Sequence, residues 1–122
     1  MGARWTARGA DCARAETGSR PVGDEVVGGA IDGIGSGPVF LSVDVDVLDP
    51  AFAPGTGTPE PGGMESGDLL WACRTLAQKL ELVGADVVEV IPTAPGSADI
   101  TALVAERIVR EILTGLALRA TR

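Results

Sequence analysis

The chain has 122 residues, of which 45% are hydrophobic, and a formal net charge of −7 at pH 7. This length and composition predict one globular domain with a modest core, and the acidic charge argues against nucleic acid or an anionic membrane as a partner. No apolar run is long enough to span a membrane, and because residues 1–21 lack an apolar h-region we expect no secretory signal there. Residues 1–21 lack periodicity and are interpreted as an irregular leader, whereas residues 22–34 carry apolar side chains at helical spacing.

A buried strand is predicted over residues 38–46, where a near-continuous apolar run ends in two carboxylates, Asp44 and Asp46. Such a run is typical of a parallel strand that is covered on both faces. The segment that follows, LDPAFAPGTGTPEPGG, contains four prolines that forbid a regular element. A loop of this length in a compact domain is usually functional or disordered. Within it, Asp49 is expected to form an Asx turn ahead of Pro50.

Two helices and a strand are predicted in the remainder of the chain. Residues 66–81 favour an amphipathic helix with Ser66 as its cap and Cys73 on its apolar face. Residues 86–91 favour a second buried strand, and residues 98–118 a last helix. The apolar face of that helix is expected to hold Ile100, Leu103, Val104, Ile108, Ile112, Leu113 and Leu116, with Glu106, Arg107, Arg110 and Glu111 on the opposite, solvated face. The alternation of helices and strands predicts an α/β fold of three layers, with a parallel sheet and helices on both faces.

The acids at the strand ends predict a metal site. On a strand with a side-chain period of two, Asp44 and Asp46 would point to the same side. Two neighbouring carboxylates repel each other unless a cation lies between them, and a hard divalent ion prefers oxygen ligands. Glu89 is expected near the end of the second strand, since ligands of parallel sheets bind at the carboxyl ends of strands. Its carboxylate either anchors a positively charged substrate group or forms a salt bridge with an arginine of the fold.

The residue types that the chain lacks limit its chemistry. It contains no histidine, which removes the commonest general base and transition-metal ligand. Its two cysteines, Cys12 and Cys73, are too far apart in sequence to predict a ligand pair, and nothing indicates a disulfide scaffold. A reducing, cytoplasmic location is the resulting expectation.

The segment SVDVDVLDPAFAPGTGTPEPGG, followed by DVVEVIP and ADITALVAERIVREIL, closely resembles the C-terminal half of the ureohydrolases, the arginase and agmatinase family. The resemblance covers about residues 22–120, and Glu60 after Thr58-Pro59 is more similar to the agmatinase-like branch. It implies a partial arginase-like fold, with residues 22–122 as the C-terminal part of the domain. It also implies two Mn²⁺ ions and hydrolysis of a guanidino compound, such as agmatine or guanidinobutyrate, to an amine and urea.

The resemblance also implies roles for particular residues. Asp44 and Asp46 match metal ligands of the family, Glu89 matches the glutamate that pairs with the substrate guanidinium, and Thr58 lies in the loop that lines that pocket. No residue of this chain is implied as the catalytic base. Family members assemble as trimers or hexamers, which makes a homo-oligomer an expectation here.

The family's GGDHS-like and DxHxD-like segments, which supply histidine ligands, do not occur in this sequence. After Pro92, the chain has Thr93-Ala94-Pro95-Gly96 in place of the family's Tyr-Asp or Leu-Asp pair. We therefore expect an incomplete metal site and an isolated chain with little or no activity. The alternative is a non-catalytic remnant or interaction module. A metal–nucleotide site of the glycosyltransferase type would also use a DxD pair, but it leaves the PGTGTPEPGG loop and Glu89 unexplained.

Overall fold

A computed structural model describes residues 23–91 and 98–121 of the chain. The elements, in chain order, are helix α1 (Gly23–Ile34), strand β1 (Pro38–Asp44), a 3-10 turn (Val45–Val47), helix α2 (Ser66–Lys79), strand β2 (Glu81–Val88) and helix α3 (Ala98–Ala120). β1 and β2 pair in parallel, with α2 as the connection between them. The α/β class, the parallel pairing and the predicted element order are therefore confirmed. The predicted leader (1–21) and the segment 93–96 lie outside the described residues.

β1 is shorter than predicted, because the chain leaves the strand after Asp44. Val45–Val47 form a single 3-10 turn, and the N–H of Asp46 bonds to the Asp44 carboxylate in place of a neighbouring strand. Asp46 is therefore not a strand residue, and the argument from a side-chain period of two was wrong for this pair. The two carboxylates are held together by turn geometry instead.

β2 begins five residues earlier than predicted and ends before Glu89. Its extra residues continue the ladder with β1, from the pair Pro38 and Glu81 onwards. A glycine at position 84 weakens the prediction of a strand from the sequence. In the structure, a Cβ at Gly84 would lie only 2.8 Å from the Phe40 ring of the neighbouring strand, so a glycine fits here and a larger residue does not. The strand ends where the backbone of Glu89 turns to a φ of 64°. Glu89 is therefore an exposed residue just beyond the strand, and its predicted place within a buried strand was wrong.

The core lies between the sheet and the helices α2 and α3. Its buried members include Val43, Val45, Leu48, Ala53, Leu69, Cys73, Ala77, Ile108 and Ile112. The Cys73 thiol is 1% exposed, and burial together with the nearby charge of Glu111 raises its pKa to about 12. Its predicted role as a core residue is confirmed.

The predicted capping role of Ser66 was wrong. Ser66 is the first helical residue of α2, so the cap position falls on Glu65, which makes no side-chain capping bond.

The buried stripe of α3 differs from the predicted apolar face. Ile100, Leu103 and Leu113 are 52%, 67% and 60% exposed, although Ile108 and Ile112 are buried as expected. The stripe instead includes two polar residues, Thr101 and Glu111, which are 0% and 4% exposed. The hydroxyl of Thr101 and the carboxylate of Glu111 are each hydrogen-bonded, which offsets the cost of burying them.

One face of the sheet is not covered by the described part of the chain. Phe40 and Val83, on neighbouring strands, are 60% and 67% exposed. Parallel sheets are normally covered on both faces. The second layer over this face is thus not supplied by residues 23–91 and 98–121.

Within these residues, no helix has the length and apolar character needed to cross a bilayer.

Candidate functional site

The carboxylates of Asp44 and Asp46 lie at the carboxyl end of β1, and the backbone and loop around them hold them in place. Asp44 Oδ1 accepts a hydrogen bond from the Asp46 N–H at 3.0 Å. Asp46 Oδ2 accepts one from the Thr58 hydroxyl at 2.7 Å. Each carboxylate therefore uses one oxygen for a hydrogen bond within the described structure and has a second oxygen that can bind a cation.

The loop that carries Thr58 is closed at its base by backbone pairing. Leu48 and Met64 form an isolated bridge, and the N–H of Asp49 bonds to the Met64 carbonyl at 3.0 Å. The segment with four prolines is therefore a loop with a defined base. This closure explains how a residue twelve positions after Asp46 returns to contact it.

Asp49 has the structural role that its position before Pro50 predicts. Its Oδ1 accepts from the Ala51 N–H at 2.9 Å, as in an Asx turn, and its Oδ2 accepts from the Gly62 N–H at 2.8 Å. These backbone donors lower the pKa of Asp49. Because both of its oxygens are used by the loop, Asp49 is not a candidate cation ligand.

Glu89 lies beside the two aspartates, as the topology of a parallel sheet predicts. Its charge contributes to the raised pKa of Asp44, and a Cβ added to Gly57 would lie 3.8 Å from Glu89 Oε2. Among the described residues, no arginine or lysine forms an ion pair with Glu89. The predicted alternative, a salt bridge between Glu89 and an arginine, is therefore not observed within the part of the chain that the structure describes.

The electrostatics of this site favour a bound cation. Burial raises the pKa of Asp44, and the negative charges of Asp46 and Glu89 raise it further, while the backbone donor from Asp46 lowers it. A raised pKa means that the charged form of Asp44 is disfavoured by its surroundings. A positive charge between these acids would relieve that cost. Asp44, Asp46 and Thr58 are thus connected by hydrogen bonds, and Glu89 lies close enough for its charge to act on Asp44.

The donor set fits part of a manganese site but not a complete binuclear one. Carboxylate oxygens are suitable ligands for Mn²⁺. Asp44 and Asp46 can offer one face of such a site, yet no group of three or more His, Cys, Asp and Glu side chains in residues 23–91 and 98–121 is placed to hold a metal ion. The sequence also has no histidine. Further ligands would have to come from elsewhere.

Residues on other elements anchor the loop, and the sequence patterns did not predict them. Thr101 Oγ1, on α3, accepts a hydrogen bond from the Gly55 N–H at 2.7 Å, and the Gly55 carbonyl accepts from the Ile91 N–H at 2.8 Å. Nearby, the Thr56 hydroxyl is buried without a partner among the described residues. The one available signal was the position of Thr101 seven residues before Ile108, which places the two on the same helical stripe.

A second polar cluster lies between α2 and α3. Glu111 pairs with Arg74 and Arg107, and hydrogen bonding and charge from these guanidinium groups lower its pKa. The cluster borders a cleft of about 250 Å³, which Leu70 and Trp71 also line. The cluster shares no residue with the acidic site.

Comparison with known proteins places this architecture in a family. The arginase family matches residues 6–115. The guanidinopropionase of Pseudomonas aeruginosa is 56% identical over 90 residues, which is 73% of this chain and 27% of that protein. The agmatinase of Cronobacter sakazakii is 49% identical over 90 residues, or 74% of this chain and 29% of that protein. The chain thus spans less than a third of the length of these relatives.

Solved structures agree with the sequence relatives. A hypothetical agmatinase from Burkholderia thailandensis superposes with a TM-score of 0.73 at 40% identity, covering 80% of this chain and 30% of that one. The proclavaminate amidino hydrolase of Streptomyces clavuligerus does so with a TM-score of 0.66 at 46% identity, covering 76% and 32%. The family match includes most of the chain, and the chain belongs to the arginase family.

Proposed function

We propose that this chain carries part of the active site of an agmatinase-like amidinohydrolase, which hydrolyses a guanidino compound to an amine and urea. The observation that supports this most is the proximity of Asp44, Asp46 and Glu89 to the Thr58 hydroxyl, in a chain that is 56% identical to a guanidinopropionase over 90 residues. A cationic guanidinium and a divalent metal ion are the two kinds of partner that such an acidic site requires.

Each residue has a distinct part in this proposal. Asp44 and Asp46 contribute ligands for Mn²⁺, and Thr58 orients the Asp46 carboxylate through its 2.7 Å hydrogen bond. The exposed Glu89 carboxylate pairs with the substrate guanidinium, a contact that can be bidentate and charge-assisted. The chemistry that bound manganese supplies in such sites is a water of lowered pKa and polarisation of the group under attack. None of the described residues is assigned as a general base.

The isolated chain is expected to have little or no activity. Two carboxylates hold a divalent ion weakly, and two ions need more ligands than residues 23–91 and 98–121 offer. Agmatine and guanidinobutyrate both remain candidate substrates, because the contacts to the tail of the substrate are not defined by these four residues. A cytoplasmic, homo-oligomeric protein is part of the same proposal.

A chimera tests the proposed function. The matched 90-residue segment of the Pseudomonas aeruginosa guanidinopropionase is replaced by the corresponding residues of this chain. Urea release from a panel of guanidino compounds is then measured with and without Mn²⁺. We expect Mn²⁺-dependent activity, and a loss of at least about 100-fold for Asp44→Asn or Asp46→Asn, since even residues that only support metal ligands can cost 10–100-fold.

The matched control is Asp32→Asn, which makes the same chemical change at an exposed residue of α1. It should alter turnover by less than about twofold, as surface substitutions usually do. A folded, active chimera whose Asp44→Asn variant turns over as fast as the unmodified chimera would exclude the proposed role of this aspartate. A chimera that folds and binds Mn²⁺ but releases no urea from any guanidino compound would contradict the function itself.

A further inference from the structure

The buried hydroxyl of Thr101 forms a long-range contact with the loop of the acidic site. Thr101 is the fourth residue of α3 and is 0% exposed. Its Oγ1 accepts a hydrogen bond from the Gly55 N–H at 2.7 Å, across 46 positions of sequence. A polar side chain is costly to bury unless its bonds are made, and this bond places the start of the loop against α3.

Gly55 connects Thr101 to both parts of the site. Its carbonyl accepts a hydrogen bond from the Ile91 N–H at 2.8 Å, two residues after Glu89. A Cβ at this position would lie 2.8 Å from Thr101 Oγ1 and 3.3 Å from the Ile91 carbonyl oxygen, so that no larger residue fits without a shift of the backbone. Gly55 is therefore held between α3 and the segment that carries Glu89.

The contacts continue from Gly55 to the functional groups. Thr58, three residues later, donates to Asp46 Oδ2, and Gly57 lies against the Glu89 side chain. One buried hydroxyl thus fixes a loop that reaches Asp46 on one side and a strand end that carries Glu89 on the other. If this anchor is lost, the loop can move relative to Glu89 while β1 and the core remain in place.

We infer that Thr101 is a positioning residue, which sets the separation between the Glu89 carboxylate and the loop that holds Asp46. This inference rests on the proposed function, because it assigns Glu89 to the guanidinium group. Thr101 itself does not contact the substrate; it acts through Gly55 and Ile91. The hydroxyl, more than the volume of the side chain, carries the role.

Three variants of the 122-residue chain separate positioning from general stability. Thr101→Val keeps the shape and removes the hydroxyl, and Thr101→Ser keeps the hydroxyl. Thr114→Val is the matched control: Thr114 is on the same helix, and its hydroxyl donates to the Arg110 carbonyl at 2.8 Å, away from the site. Amide hydrogen exchange is measured without ligand, and agmatine is titrated in the presence of Mn²⁺ while the amide signals of Thr58 and Glu89 are followed by NMR.

For Thr101→Val we expect exchange at Gly55 and Ile91 to rise about tenfold or more, with Ile108 and Ile112 unchanged, because the effect of losing this anchor is local. Agmatine affinity should fall about tenfold, because the separation between Glu89 and the loop is no longer fixed and one lost anchoring hydrogen bond costs about that much. Thr101→Ser should restore both quantities, and Thr114→Val should change neither.

Equal increases in exchange along the whole of α3, or unchanged agmatine affinity in Thr101→Val, would overturn the positioning role. Failure of both agmatine and guanidinobutyrate to bind the unmodified chain would contradict the pairing of Glu89 with a guanidinium group instead. In that case the exchange pattern alone decides the positioning role: a selective increase at Gly55 and Ile91 supports it, and a uniform increase rejects it.

Discussion

Glu89 combines an unfavourable backbone conformation with a proposed binding role, and replacing it by glycine should separate the two. Its φ of 64° lies in the left-handed region, where a residue with a Cβ pays about 1–2 kcal/mol relative to the right-handed region. Glycine relieves that cost but loses about 0.5–1 kcal/mol of backbone entropy on folding. Removing a negative charge beside Asp44 stabilises the folded state by about a few tenths of a kcal/mol more, a small effect because the position is exposed.

The sum predicts that Glu89→Gly stabilises the fold by about 1 kcal/mol. In urea denaturation, this corresponds to a midpoint higher by about 0.5 M. The matched control is Glu81→Gly at the other end of β2, where the residue is also exposed but φ is not positive. That variant should lose about 0.5–1 kcal/mol.

The same substitution should abolish agmatine binding, because it deletes the carboxylate that pairs with the guanidinium. Proteins commonly retain backbone strain at a binding residue, where it lowers stability but serves function. A Glu89→Gly variant that is destabilised as much as Glu81→Gly would refute the argument from backbone strain. One that is stabilised but still binds agmatine with unchanged affinity would refute the binding role.

Three further predictions concern the core between α2 and α3. Gly115→Ala should destabilise the fold by about 1–3 kcal/mol in urea denaturation, because an added Cβ would overlap the Arg74 carbonyl and the Ala77 side chain. A stability within about 0.5 kcal/mol of the unmodified chain would contradict this close approach of α3 to α2. In a Cys12→Ser background, a thiol reagent at about pH 8 should modify Cys73 roughly 1,000-fold more slowly than an ordinary thiol. The reason is that a pKa raised from 9.0 to about 12 reduces the thiolate fraction by that factor. Labelling at an ordinary rate would show that the thiol is accessible. Hydrogen bonding and charge from its arginine partners lower the pKa of Glu111 from 4.5, so its stabilisation is present above that value and is lost as the pH falls. As the pH is lowered below 4.5, the unmodified chain should lose more stability than Glu111→Gln, and parallel losses would contradict the pairing.

The order of elements and the chemistry of the site could be predicted from the sequence. The apolar run before Asp44, the helical spacing of α2 and the acids at the ends of both strands follow from local patterns. Asp49 was also predictable, since an aspartate before proline favours an Asx turn that depends on neighbouring residues alone. These features require little knowledge of the rest of the fold.

Features that depend on tertiary contacts could not be predicted. The 3-10 turn that carries Asp46 forms because the Asp44 carboxylate competes for the Asp46 N–H, which alternation along a strand does not reveal. The left-handed φ of Glu89 is unusual for a glutamate, and no local pattern indicates it. Thr101 and Glu111 are buried because their polar groups find partners from other elements, Gly55 and Arg74. A helical pattern read from hydrophobicity alone assigns such residues to the solvated face.

The central claim is that Asp44 and Asp46 bind a divalent cation beside Thr58, with the Glu89 carboxylate nearby for a guanidinium group. The most direct measurement is a Mn²⁺ titration of the ¹⁵N-labelled chain, in which paramagnetic broadening reports the position of the ion. We expect the amide signals of residues 44–46, 57–58 and 89 to broaden first, and Asp44→Asn to weaken this effect about tenfold or more. Broadening that begins at the acidic first turn of α1, or that Asp44→Asn leaves unchanged, would contradict the account.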